Sequence, residues 1–447
     1  MRTKGQGYDV VIVGASIAGC VAARLYGEQG LSVALLDRRT SIDDYKRMCT
    51  HFIQPSATPV IERLGLAPLI EAAGGVRNSL DTWTRWGWIR VPEPEDGASN
   101  PHGYSIRRQT LDPMLRRLAA NTPGVELMLG KTATRLTSAR ERFTGVVARD
   151  RRGGEVELSG ALIVAADGRN SEIGEIASVK ARVRKNKRFG YFAYYRNLVQ
   201  TSRGDTGQMW VLEPNTAIAY PNEDGIAIVA CFVERRRLAE FKRDPEGNFE
   251  RLIASLPMGP AIADAERISP LLGKLELPNS ARRTAVPGLA FIGDAAMTAD
   301  PLWAIGCGWA FQSASWLVDT TAEALPAHKG LDSALKRYRK VHRSKLLAFY
   351  LQSSNFSTRR KLLPHEKLIL SSAAKDPAMA RRFTAFGEGL VSLSELLSPR
   401  SLGRAARVVI SHRLRRSEGQ SRASSEATST TNLQSGEPPT DAPMPSR

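Results

Sequence analysis

The stretch that decides the fold runs from Tyr8 to Asp37. Tyr8-Asp9-Val10-Val11-Ile12-Val13 is a short apolar, β-rich run, and Gly14-Ala15-Ser16-Ile17-Ala18-Gly19 follows it as a glycine turn. A helical pattern through Leu25 and Tyr26 comes next, then a second apolar run from Leu31 to Leu36 that stops at Asp37. Strand, helix and strand in this order predict a βαβ unit. The turn has the G-x-G-x-x-G form with Ser16 in the middle place. Gly14 permits the tight turn, a small residue at Ser16 lets the backbone approach a pyrophosphate, and Gly19 lets helix and strand pack closely. The helix start, with Ala15 and Ser16 ahead of it, offers free N–H groups to phosphates. Asp37 lies 23 residues after Gly14, placed to accept hydrogen bonds from an adenosine ribose. Arg38 follows it. These features predict dinucleotide binding without choosing between FAD and NAD.

Outward from this unit, two later segments repeat the pattern of an apolar run ending in an acid. Ala161 to Ala166 leads into Asp167-Gly168-Arg169-Asn170-Ser171, and Leu289 to Ile292 leads into Gly293-Asp294-Ala295-Ala296. Buried parallel strands that end at a ligand edge read this way. A carboxylate at such an end can bind the hydroxyls of a ribityl chain. Past Asp294 come Pro301 and then Gly306-Cys307-Gly308, expected to precede an alanine-rich helix whose N–H groups would face the pyrimidine edge of a flavin. Arg108-Gln109-Thr110-Leu111-Asp112 opens a helix with an arginine able to reach cofactor oxygens.

This set, in this order, resembles the p-hydroxybenzoate hydroxylase-like FAD-dependent monooxygenases and their relatives, the flavin-dependent halogenases and geranylgeranyl reductases. The resemblance covers residues 8 to about 325. It implies an α/β fold: a Rossmann-type FAD-binding domain, an inserted antiparallel β-sheet substrate domain and C-terminal helices. It also implies that Gly14, Ser16, Gly19, Asp37, Arg108 and Asp294 contact FAD. Pro301 to Gly308 would lie beside the isoalloxazine, and Asp167-Gly168 would serve FAD and NAD(P)H. The family usually carries a basic residue three positions after the serine of this last element, where this chain has Gly174. The resemblance further implies an oxidoreductase with NAD(P)H as reductant. The reading it favours is a monooxygenase using O2, hydroxylating or epoxidising a small aromatic, polyketide or isoprenoid-like substrate through a flavin hydroperoxide. Three alternatives stand beside it: a reductase of unsaturated, geranylgeranyl-type substrates, a halogenase, and a flavin-binding module without catalysis. Trp86-Gly87-Trp88-Ile89-Arg90-Val91-Pro92 differs from the halogenase signature in spacing and in place. It reads as a core or pocket cluster.

Cys49, in Lys46-Arg47-Met48-Cys49-Thr50-His51, resembles the cysteine that geranylgeranyl reductases place in a comparable segment, and His51 is a candidate general base or substrate donor. The four cysteines, Cys20, Cys49, Cys231 and Cys307, form no Cys-x-x-Cys pair. They suggest no metal site and no disulfide framework, and a cytoplasmic location fits them. Ile17-Ala18-Gly19-Cys20 has the look of a lipobox, but the residues before it are better explained as strand and turn.

The remaining pattern divides the chain. Residues 1–82, 100–182 and 280–330 are assigned to the FAD-binding domain, and 83–99 with 183–279 to the substrate domain. Residues 331–416 are expected to be helical and 417–447 disordered. Within the insert, Gln208–Leu212, Ala217–Tyr220 and Ile226–Val233 read as strands joined by turns. Tyr194, Tyr220 and Trp210 are packing residues or a pocket wall. Hydrophobic content of 42% with 24% charged residues suits a folded protein, and no apolar run approaches the roughly 20 residues of a membrane span. The net charge is +18, and from residue 400 to 422 seven arginines oppose the single acid Glu418. This basic helix is a candidate for peripheral membrane contact through residues 400–416. Nucleic-acid binding is not expected, since no recognition motif with interleaved aromatics accompanies the charge.

Overall fold

The computed structural model describes residues 3–94, 99–200, 206–326, 329–358 and 361–432. The decisive unit forms as read: strand Thr3–Val13, helix Ile17–Glu28 and strand Val33–Asp37. Thr3–Val13 pairs in parallel with Val33–Asp37 on one side and with Glu155–Ala165 on the other. Val125–Leu129 and Leu289–Phe291 extend the parallel sheet outward. Val10, Val11 and Ile12 are fully buried because both faces of the sheet are covered: Val10 and Ile12 pack on helices such as Ile17–Glu28 and Arg108–Ala120, and Val11 packs on Ala133, Val146 and Ala148. The C-terminal ends of four strands therefore converge at one edge, where Gly14, Asp37, Asp167 and Asp294 follow Val13, Leu36, Ala165 and Phe291. Two strands, Thr132–Ala139 and Arg142–Arg149, form an antiparallel arm on this sheet.

The second sheet arises from the insert. Arg188–Arg196, Ile226–Glu234, Thr216–Pro221 and Gly207–Val211 pair antiparallel in that spatial order. Their side chains alternate between two buried faces, as the two-residue period of a strand requires. Phe192, Ile218, Ile228 and Phe232 share one cluster with Trp303, Trp309 and the C-terminal helices. Phe189, Tyr191, Val229 and Val233 face the other way, onto Phe241 and Phe249.

Two expectations are corrected here. The sheet is not wholly antiparallel: Gly207–Val211 runs parallel to Leu80–Thr84. The chain passes through the first sheet and its helices between them, and such a long crossover permits parallel pairing. Residues 80–82 accordingly belong with the second sheet rather than with the first segment of the nucleotide domain. The Trp86–Trp88 cluster sits on this edge hairpin, with Trp88 against Trp210 at 5.7 Å, and so acts as packing.

The C-terminal helices are Leu331–Phe356, Pro364–Ala373, Pro377–Gly387, Leu393–Leu396 and Pro399–Asn432. The last extends to Asn432, and the tail expected from Ser417 has no described side chains, residues 433–447 lying wholly outside the described residues. No proline interrupts this last helix after Pro399, so its polar residues are compatible with a helix. Among the described residues no helix is long and apolar enough to cross a membrane.

Two buried charges tie the domains together. Arg188 and Asp300 are fully buried, 3.3 Å apart, and the guanidinium lies 5.5 Å from both the Phe232 and Phe356 rings. Asp300 also accepts from the Leu302 N–H at 3.0 Å and so starts the turn Pro301–Trp303. Arg188→Met would strand the carboxylate in an apolar interior and should lower stability by about 3–5 kcal/mol, read by urea unfolding. Glu388 is 5% exposed, and burial pushes its carboxyl up to about 8. The native state then keeps a proton that the unfolded chain releases above the ordinary carboxylate range. Stability from this group falls as pH rises from about 5 to 8, and Glu388→Gln should recover about 2 kcal/mol at the upper end relative to the lower. Paired urea titrations at the two pH values check the sign.

Candidate functional site

A cavity of about 640 Å³ opens along the carboxyl edge of the parallel sheet. Gly14, Ser16, Asp37, Arg38, Arg108, Asp167, Gly168, Asp294, Pro301, Gly306, Cys307 and Cys49 all line it, although they come from segments spread over most of the chain. Gly14 takes φ +110°, and a Cβ there would stand 2.4 Å from the Ala166 carbonyl oxygen. Gly19 faces the strand, not the cavity; a Cβ would stand 1.8 Å from the Gly14 carbonyl oxygen. The helix start is thereby held against the sheet edge with its N–H groups toward the cavity.

Ala15 is buried, and its N–H donates to Asp37 at 2.7 Å. Asp37 also accepts from the Arg39 N–H at 2.8 Å, which fixes the carboxylate while leaving it lone pairs for a ribose hydroxyl. Arg38 is largely exposed at the rim, 3.6 Å from Glu172. Arg108 is 3% exposed, donating to Ser16 at 2.7 Å and to Asp112 at 2.7 Å. Its proximity to Asp112 keeps it charged at the floor of the turn. Burial alone would raise the pKa of Asp294, but Lys46 at 3.3 Å, with Arg169 and Arg108, outweighs it and holds the carboxyl below its usual range. Asp167 goes the other way: burial raises it, and although its Oδ2 accepts from the Ile173 N–H at 3.0 Å, its Oδ1 is buried without a hydrogen-bond partner.

Gly306, Cys307 and Gly308 are the first turn of helix Gly306–Thr321, not a loop ahead of it. Gly306 and Cys307 face the cavity, and Gly308 packs toward Gln54 instead. Cys49 and Cys307 bring their sulfurs to 3.5 Å. Cys49 also accepts from the His51 N–H at 3.3 Å. The hydrogen bond with Cys307 outweighs burial and, helped by the charges of Arg108 and Lys46, holds the Cys49 thiol well below its ordinary value, while the same hydrogen bond together with burial pushes Cys307 up.

His51 does not line the cavity. Its Nδ1 accepts from the Arg108 backbone N–H at 3.1 Å, which makes Nε2 the protonated nitrogen, and this lies 2.6 Å from the Tyr194 hydroxyl. Burial lowers its pKa, so the ring is neutral. It is a strut between the cofactor arginine and the second sheet. Tyr220 and Trp210 are buried in packing, Tyr220 4.9 Å from Phe52 and Trp210 donating to the Pro257 carbonyl at 2.9 Å.

Sequence reasoning missed four cations. Lys46 and Lys131 line the cavity. Arg116, fully buried, donates to the Ala15 carbonyl at 2.9 Å and to those of Ile42 and Asp44, bracing the glycine turn from behind; it stands two helical turns after Arg108, the one available signal. Arg282 explains Gly174: a Cβ on that glycine would stand 1.2 Å from its guanidinium, so the basic group usual there arrives from another segment. Among the described residues no cluster of His, Cys, Asp or Glu could hold a metal.

The residues fit FAD. Gly14 and Gly19 leave a turn that no larger residue would allow, the orphaned Asp167 oxygen and the Asp294 carboxylate await hydroxyl or amide donors, and cations surround the phosphate end. Comparison with known proteins agrees. The digeranylgeranylglycerophospholipid reductase 2 of Methanothermobacter thermautotrophicus is 28% identical over 355 residues, covering 76% of this chain and 84% of that protein. The corresponding Methanosarcina mazei reductase is 23% identical over 334 residues, 72% of this chain and 76% of the relative. The solved structure of the flavin-dependent brominase Bmp2 superposes with a TM-score of 0.72 at 16% identity, covering 92% of this chain and all of that one, a likeness of fold. A family model described as FAD binding domain matches residues 7–347. With that match spanning most of its length and the cofactor turn, strand-end acids and cavity in place, the chain belongs to the FAD-binding domain family and is an FAD-dependent oxidoreductase.

Proposed function

We propose that this protein is a reductase that saturates carbon–carbon double bonds in an apolar, polyprenyl-type lipid, drawing electrons from NAD(P)H. The observation that carries this reading is the thiol pair Cys49 and Cys307, 3.5 Å apart in the cavity wall. A site that activates oxygen or oxidises halide would make its oxidant within reach of a thiol biased toward thiolate, the form most readily converted to sulfenic acid or disulfide. Reduction leaves the pair intact. The curated relatives, named as reductases of an unsaturated phospholipid, support the same choice over the hydroxylation favoured by the sequence reading.

Bound reduced FAD would supply a hydride equivalent to one alkene carbon. The chain's own groups have to hold the cofactor, exclude water and deliver a proton to the other carbon. Gly14, Ser16, Asp37 and Arg108 are assigned to the adenosine and phosphate end, Asp167 with Gly168 and Asp294 to the middle, and Pro301 to Cys307 to the ring. Met48, Phe192, Leu277, Met297 and Trp309 supply an apolar side to the cavity suited to a hydrocarbon chain. In the protonated pair Cys49 delivers the proton, the Cys307 sulfur 3.5 Å away stabilises the thiolate left behind, and a proton from water restores it after turnover. The test follows NADPH oxidation with a geranylgeranyl lipid, with and without oxygen. The expected product is heavier by two hydrogens and forms at the same rate anaerobically. Oxygen uptake in step with a product heavier by one oxygen atom would restore the monooxygenase reading.

A further inference from the structure

We propose that the C-terminal helices dock this protein on an anionic lipid bilayer, with the outward face of residues 399–415 of the last helix making the contact. Residues 331–416 carry nineteen lysines and arginines against five aspartates and glutamates, so +14 of the chain's +18 lies in this one layer. The FAD-binding and substrate domains are close to neutral by comparison. The basic charge is thus concentrated in the C-terminal helices, and it calls for an anionic partner.

The helix is oriented by what it buries. Ser401 and Ala405 are buried, Leu402 packs beside them, and Arg404 grips Asp376 through two bonds of 2.9 and 2.8 Å. At about 100° per residue, the side opposite Ser401 and Ala405 carries Ile410 and Leu414, flanked by Arg407 and Arg413. Ile410 is 57% exposed and Leu414 58%, and both arginines are exposed. Leu351 and Leu390, also in this layer, are 40% and 41% exposed. Large aliphatic side chains among outward arginines gain nothing against a phosphodiester backbone. They match a headgroup surface, where the guanidinium groups meet lipid phosphates and the aliphatic groups enter the acyl boundary.

The same layer also holds the cavity wall. Trp303 of the Pro301–Trp303 turn packs edge-on against Phe383 at 5.5 Å and Phe386 at 5.9 Å, and Gly387 gives it room, since a Cβ there would stand 2.7 Å from the indole. A bilayer contact at the last helix would thus be linked to the Pro301–Trp303 turn of the cavity wall through helix Pro377–Gly387.

Sedimentation of the FAD-loaded full chain with vesicles tests the contact and needs no turnover, so its failure and a failed reductase assay are separate results. Vesicles of equal parts phosphatidylglycerol and phosphatidylcholine should bind at least about tenfold more protein than phosphatidylcholine alone. Arg407→Gln and Arg413→Gln should each weaken binding about fivefold. Ile410→Asn with Leu414→Asn should weaken it further and abolish what survives in high salt, with flavin absorbance and melting temperature unchanged. Equal binding to neutral and anionic vesicles would overturn the proposal. So would duplex DNA binding that exceeds vesicle binding and ignores the Ile410→Asn and Leu414→Asn changes, or a dimer that those changes dissociate.

Discussion

Gly19→Val should give protein purified without flavin and melting several degrees below the parent. The helix that opens at Ile17 can lie against the first strand only because residue 19 has no side chain: a Cβ would stand 1.8 Å from the Gly14 carbonyl oxygen and 3.0 Å from its carbon. Both atoms are backbone, so no rotamer change relieves the clash. The helix has to withdraw, and with it the N–H groups at Ser16 and Ile17 that bound the phosphate end of the cavity. Overpacking of this kind costs about 1–3 kcal/mol in the fold. The loss in cofactor binding is larger, because a displacement of an ångström separates every donor from its phosphate at once and also removes the Arg108 bond to Ser16. Gly403→Ala is the control: a Cβ at that helical position meets nothing within 4 Å, and full flavin content is expected. The ratio of visible to ultraviolet absorbance, and melting curves with and without added FAD, read the effect. Full flavin occupancy in Gly19→Val would remove the glycine turn from the cofactor site.

Why so much of this edge was legible, and where legibility stopped, follows from chain geometry. Strands buried on both faces have to be apolar throughout, so Val10–Val13, Ala161–Ala166 and Leu289–Ile292 announce themselves as runs, and the glycine turn after the first and the acids Asp167 and Asp294 after the others mark the edge. Each such signal is local. The contacts that complete the site are not: Lys46 meets Asp294 across 248 residues, and Cys49 meets Cys307 across 258. Nothing in either short segment specifies the other. His51 shows the converse limit. Its residue type and its place beside Cys49 suggested catalysis, but the fold spends both ring nitrogens on Arg108 and Tyr194. Gly174 was visible as an oddity without a cause until Arg282 was found in the space it leaves. The parallel join between Leu80–Thr84 and Gly207–Val211 was also hidden, because an alternating strand pattern carries no information about the direction of its neighbour.

Cys49→Ala should cut turnover by about a hundredfold to ten-thousandfold, the range a positioned proton donor contributes, while flavin content and melting temperature stay near those of the parent. The side chain is small and stands at the cavity wall, so its loss opens little new space in the core. What disappears is the sulfur that accepts from Cys307 and from the His51 N–H at 3.3 Å. Cys307→Ala separates proton delivery from packing. With its S–H donor gone, Cys49 loses the largest effect holding its pKa down, so its thiol should titrate at higher pH. If the protonated pair is the active form, rate falls as pH rises through the pKa of Cys49, and in Cys307→Ala that fall moves to higher pH. Alkylation by iodoacetamide should slow in the same variant at neutral pH, since less thiolate is present. A purely structural role for Cys49 would slow alkylation of Cys307→Ala in the same way but leave its pH–rate profile where it was. Turnover in Cys49→Ala within twofold of the parent would assign the proton to another group.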